Sequence, residues 1–140
     1  GVGDGVLRGL PHRARGGEAD ARARGGKLFF TGATAGLRGN PGYAAFAAAK
    51  FGLRALAQSA ARELGPKNIH VAHLIIDAGV DTAFVRERIR AREGDEALAN
   101  LDPNRLMRPE AVANAYWQLY EQPRDAWTFE QEIRPFGEKW

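Results

Sequence analysis

The sequence predicts an α/β fold built on a parallel sheet, and three observations carry that expectation. Three runs rich in β-branched and aromatic residues read as strands: "KLFFTG" (27–32), "IHVAHLII" (69–76) and "WTFEQEIRP" (127–135). Segments with helical apolar spacing separate them, at 43–64, 81–94 and 108–123. Strands alternating with helices in this order call for parallel pairing through crossover helices, and three strands make only part of a doubly wound sheet.

Each element has a local reason. Residues 1–26 are dominated by Gly and Arg with no apolar period, so disorder is expected there. The run 27–32 is a short buried strand, and "ATAGLRGNPG" after it is a Gly-rich loop. In 43–64 the residues Phe46, Lys50, Leu53, Ala57, Ala60 and Leu64 recur at three- and four-residue spacing and predict one buried stripe. Gly65-Pro66 closes that helix. The run 69–76 is apolar enough to be buried on both faces, with His70 and His73 pointing to opposite sides. In 81–94 a helix starts near Asp81 or Thr82 as cap, and "VRERIRARE" carries both charge signs, as a solvated face does. Residues 95–107 read as irregular. Pro109 near the first turn and Pro123 beyond the end frame the next helix, where Tyr116, Trp117, Leu119 and Tyr120 read as core and subunit contact.

Composition removes several function classes. With 140 residues the chain is long enough for one domain with a core. No cysteine is present, so thiolate chemistry and disulfides are excluded, which accords with a reducing cytoplasm. His12, His70 and His73 are too scattered for a metal site. No run of about 18 apolar residues exists to span a membrane. The net charge of +3 raises a nucleic-acid reading, but residues 1–26 carry five Arg against Asp4, Glu18 and Asp20, leaving the rest near neutral. A nucleic-acid partner is therefore not expected. The motif "TGATAG" (31–36) imitates a dinucleotide-binding turn, yet Pro41 delays the helix that would present its N–H groups to a pyrophosphate.

The stretch from "FFTGATAGLRGNPGYAAFAAAKFGLRALAQSAARELGPKNIHVAHLIIDAGVDT" onward, about residues 27–140, resembles the C-terminal half of the short-chain dehydrogenase/reductase family. The resemblance implies a partial Rossmann-like doubly wound sheet, a three-layer α/β/α remnant. It also implies hydride transfer between NAD or NADP and a carbonyl or alcohol substrate. Within it, Lys50 matches the family lysine that contacts the nicotinamide ribose and lowers the pKa of a catalytic Tyr. Thr82 matches a residue contacting the carboxamide, and Gly32 is taken as a third cofactor-contacting position. The machinery is incomplete: Phe46 stands where the family has its proton-donating Tyr, Ala33 where it has Ser, and Asp77-Ala78 where it has Pro-Gly.

Several alternatives stay open. Tyr43, two turns before Lys50, is either a substitute phenol or a packing residue. Lys50 itself is either a cofactor contact or a snorkelling side chain, and Thr82 either a contact or a helix cap. Thr34, adjacent to Ala33, is expected to point away from it. The family's habit implies a homo-oligomer packed through the 43–64 helix. Weak or absent cofactor binding is expected of this chain, which is read as a truncated or degenerate copy. The alternative is a non-catalytic protein used for assembly or ligand binding. Residues 1–26 are either a natural basic tail or the product of an out-of-frame reading. With synonymous codons chosen freely, a one-nucleotide shift turns residues 2–25 into the apolar helical string WEMACYGGFLTGREAARLMLAR.

Overall fold

The computed structural model describes residues 25–34 and 41–139. The readings of 1–24, whether tail or out-of-frame segment, and of the loop 35–40 lie outside the described residues. Three strands form one sheet in the order β1 (Gly26–Ala33), β2 (Ile69–Ile76), β3 (Glu130–Ile133), and both pairings are parallel. Between them run α1 (Ala44–Leu64), α2 (Ala83–Glu93), α3 (Asp95–Ala99) and α4 (Pro109–Glu121). This is the α/β half-sheet with crossover helices that the alternation of patterns implies.

The sheet is covered on both faces, so β2 in the middle is buried along almost its whole length. Leu28, Phe30, Ile69 and Val71 pack against Ala60 and Leu64 of α1 on one side. Phe29, Ala72, Leu74 and Ile133 pack against Ala115 and Leu119 of α4 on the other. Each strand therefore alternates between two helices rather than between core and water. His70 and His73 do fall on opposite faces.

The stripe expected along α1 is only partly buried. Ala47, Ala57, Ala60 and Leu64 are buried, but Phe46 is 48% exposed and Lys50 and Leu53 are only half-buried. The reason is topological. A crossover helix runs antiparallel to its strands, so its C-terminal half lies on the sheet while its first turns stand at the carboxyl edge, over the end of the core.

Helix ends differ in detail from the expectation. After α1 a 3-10 turn over Gly65–Lys67 intervenes, and the left-handed residue is Asn68 (φ 62°), not Gly65 (φ −54°). Asn tolerates that conformation, and its carbonyl accepts from Gly26 N–H at 3.1 Å, tying the turn to the start of β1. Thr82 is the α2 cap, its hydroxyl accepting from Val85 N–H at 3.2 Å. The stretch 95–107 is not wholly irregular. It contains α3, which starts on two acidic residues suited to a helix N-terminus. Strand β3 is shorter than the 127–135 run. Before it the Thr128 backbone serves side chains, bonded to Gln122 and to His70, while the Phe129 carbonyl accepts from His73 N–H at 2.6 Å.

The excursion from Gly79 to Met107 leaves the sheet and returns through a bridge between Val80 and Met107. Ion pairs lace it: Arg86–Asp81, Arg90–Glu87 and Arg105–Glu93. The mixed charge of "VRERIRARE" thus forms a solvated, paired face. No helix of the described residues is long and apolar enough to cross a membrane.

Candidate functional site

In open α/β sheets the carboxyl ends of the strands form the crevice where ligands bind. Here that edge is built from the ends of all three strands and the first turns of α1. Thr34, just past β1, donates its hydroxyl hydrogen to Asp77 Oδ1. Asp77 follows β2 and is only 1% exposed; its other oxygen lies 3.6 Å from Nε of Arg134, which follows β3. Arg134 also donates from Nη2 to Glu132 at 2.8 Å. A carboxylate this deeply buried is stable only when its lone pairs find donors, which strands β1 and β3 supply from either side.

The residues singled out from the sequence divide clearly. Lys50 directs its ammonium to the face of Phe46, 5.7 Å from the ring centroid. Four residues apart on one helix, the two side chains are natural neighbours, and an aromatic face attracts a cation. Tyr43 sits at the helix N-cap, 48% exposed, and its hydroxyl has no hydrogen-bond partner among the described residues. Ala33 ends β1 opposite Ile76. Beside it Thr34 carries a hydroxyl, engaged with Asp77. Thr82 uses its hydroxyl as a cap. Gly32 lies beneath the imidazole of His73: a Cβ there would come 2.2 Å from Nε2.

A second polar cluster, missed from the sequence, lies under α1 one turn beyond Lys50. Arg54 donates to Glu130 in bidentate fashion, Nε–Oε2 at 2.7 Å and Nη2–Oε1 at 3.1 Å. The same Oε2 accepts from Nδ1 of His73 at 3.1 Å, and His73 is wholly buried. The Arg54 bond holds the Glu130 carboxyl below the usual glutamate range, with the His73 bond adding to it. Its Nε2 has no hydrogen-bond partner among the described residues. The sequence signal for this cluster was His73 standing in the otherwise largely apolar run 69–76.

On the α4 face, His70 stacks on Trp127 at 5.0 Å between centroids and donates from Nε2 to the Thr128 carbonyl at 2.7 Å. Burial pushes its pKa down, the Thr128 bond works against that, and nearby Lys27 adds to the lowering. Tyr116, half-buried, bonds Thr31 and packs on Phe29 as part of the core. Trp117 and Tyr120 are instead exposed and stacked on each other.

Comparison with known proteins follows the same lines. The family model described as enoyl-(acyl carrier protein) reductase matches residues 6–129. The chain is 32% identical over 94 residues to the 3-oxoacyl-(acyl-carrier-protein) reductase FabG of Chlamydia trachomatis, covering 67% of this chain and 37% of that protein. It is 51% identical over 49 residues to the short-chain dehydrogenase/reductase eriH of Hericium erinaceus, covering 35% of this chain and 19% of that one. Among solved structures, a short-chain dehydrogenase from Rhodopseudomonas palustris superimposes with a TM-score of 0.60 at 54% identity, over 88% of this chain and 43% of its own. A serine dehydrogenase in closed form, complexed with NADP+, superimposes with a TM-score of 0.68 at 19% identity, over 90% and 51%, a likeness of fold. The parallel sheet and its two helical layers thus define a Rossmann-like α/β protein. The chain belongs to the short-chain dehydrogenase/reductase family of oxidoreductases. It spans well under half the length of the curated relatives it matches.

Proposed function

We propose that this chain derives from NAD(P)-dependent hydride transfer between a nicotinamide cofactor and a carbonyl or alcohol, and that its own proton-transfer machinery is lost. One observation carries the reading: the Lys50 ammonium rests on Phe46, a ring without an ionisable group. In a family enzyme that cation lies beside a phenol and favours its ionised form. Against phenylalanine it stabilises nothing that can donate or accept a proton. With Ala33 at the serine position, no hydroxyl replaces the second partner there, and Thr34 is engaged with Asp77.

The described residues fit a nicotinamide nucleotide poorly. Each residue the resemblance assigns to the cofactor has an internal partner: Lys50 has Phe46, Thr82 has Val85, and the space before Gly32 is filled by His73. We therefore assign weak or no cofactor binding to the chain. The ancestral cofactor would be NAD or NADP, the substrate a small molecule and the setting cytoplasmic.

Titrating NADH and NADPH into the 140-residue chain by fluorescence tests this. No saturation below millimolar concentration is expected. Micromolar binding, or turnover of a 3-oxoacyl thioester (a first substrate suggested by the reductases it resembles), overturns it.

A second reading, assembly through α1, is favoured by a specific feature. Tyr43, Phe46 and Phe51 along that helix are each more than two-fifths exposed. Sedimentation should then show a dimer that Phe51→Glu dissociates; a monomeric wild-type chain rejects it.

A further inference from the structure

On the face of the sheet opposite Lys50, a pocket of about 420 Å³ opens between α4, β3 and the segments 103–108 and 133–136. Its size falls in the range of small-ligand sites, roughly 300–1,000 Å³. Its floor is apolar, with Met107, Ala115 and Ile133. Four carboxamides line the walls: Asn104, Asn114, Gln118 and Gln131. Two guanidinium groups, Arg108 and Arg134, complete it, and no carboxylate lines it.

The charge balance decides what such a pocket takes. Arg134 is held by Glu132 and Asp77, so its charge is largely answered within the protein. Arg108 has no acidic partner among the described residues. It is also the N-cap of α4, a helix of 13 residues that begins at Pro109. Glu110 in the first turn is exposed and does not line the pocket. A surface pocket that gathers a guanidinium without an acidic partner and four uncharged amides around an apolar floor offers donors to an anion and no competing anion of its own. Phe136, 94% exposed, stands at the mouth as an uncovered ring.

We propose that this pocket binds a small organic anion bearing hydrogen-bonding substituents, its carboxylate or phosphate against Arg108 and its polar groups on the amide walls. The assignment is independent of the nicotinamide reading, since the pocket shares neither Lys50 nor Thr82. Through Arg134 it lies one side chain from Asp77.

The test is a nuclear magnetic resonance titration of the full 15N-labelled chain with citrate, with 3-phosphoglycerate, and with neutral glycerol at matched ionic strength. At least one anion should shift the side-chain amide resonances of Asn104, Asn114, Gln118 and Gln131 saturably, and glycerol should not. The responding anion distinguishes carboxylate from phosphate recognition. Arg108→Gln should weaken that binding at least tenfold and Gln118→Leu several-fold. Arg92→Gln, on exposed α2, should leave it unchanged. Resonances unmoved by either anion overturn the proposal. So does an affinity that Arg108→Gln leaves intact, or a pocket closed by a second copy that neither anion displaces.

Discussion

Glu130→Ala is the most discriminating change to the described structure, because one carboxylate serves two very different partners. Arg54 is 36% exposed along its side chain and Glu130 24%, so their bidentate pair is partly solvated and contributes about 0.5–1 kcal/mol. His73 is 0% exposed and its Nε2 is already without a partner. Removing Glu130 strands the Nδ1–H as well, and a buried donor left unpaired costs about 1–3 kcal/mol. The sum is about 1.5–4 kcal/mol for Glu130→Ala, against about 0.5–1 kcal/mol for Arg54→Ala, which leaves the His73 Nδ1 bond in place. Urea unfolding at pH 7 followed by circular dichroism reads both; with m near 1–2 kcal/mol/M the gap of about 1–3 kcal/mol corresponds to roughly 0.5–3 M in midpoint. Glu130→Gln keeps an acceptor for Nδ1 and should fall between them. If Glu130→Ala and Arg54→Ala cost the same, the His73 bond contributes nothing and the reasoning is refuted. Acid adds a second readout. The Glu130 carboxyl is held below its usual range, so its contribution is present above about pH 4.3 and lost as pH falls through the lower folded value. Glu130→Gln should lack that component.

His70 makes a prediction of opposite origin. Burial disfavours its charged form, so below about pH 6.5 the unfolded chain takes up the proton first and stability falls as pH falls toward the lower folded value. Unfolding midpoints between pH 8 and 5, followed by tryptophan fluorescence, should show that slope, and His70→Gln should flatten it. Ala78 carries φ 150° just after β2, a region side chains rarely adopt. Ala78→Gly should stabilise the chain by about 1 kcal/mol and raise the melting temperature by about 3–6 °C; no rise, by calorimetry, counts against strain there.

Much of the fold was legible because it follows from local pattern. The run 69–76 matches β2 residue for residue, since only a central strand between two helical layers tolerates an apolar side chain at nearly every position. Proline, and a threonine hydroxyl free to cap, located α4 and α2 just as directly. Lys50 and Phe46, at the four-residue spacing that lets them meet, were also present in the string. Less visible were contacts between residues far apart in sequence. Glu130 meets Arg54 and His73 across 76 and 57 residues, and Thr34 meets Asp77 across 43. No periodicity encodes which polar residue in one strand will face which in another, because strand register and crossover geometry decide it. The extent of the buried stripe on α1 was misjudged for the same reason. Spacing shows which residues share a helix face, but the length of sheet beneath that face decides how many of them leave water. The sequence determined the three strands, the three longer helices and their order. Only the assembled sheet decided that a buried carboxylate would close its carboxyl edge and that uncharged amides would gather around Arg108.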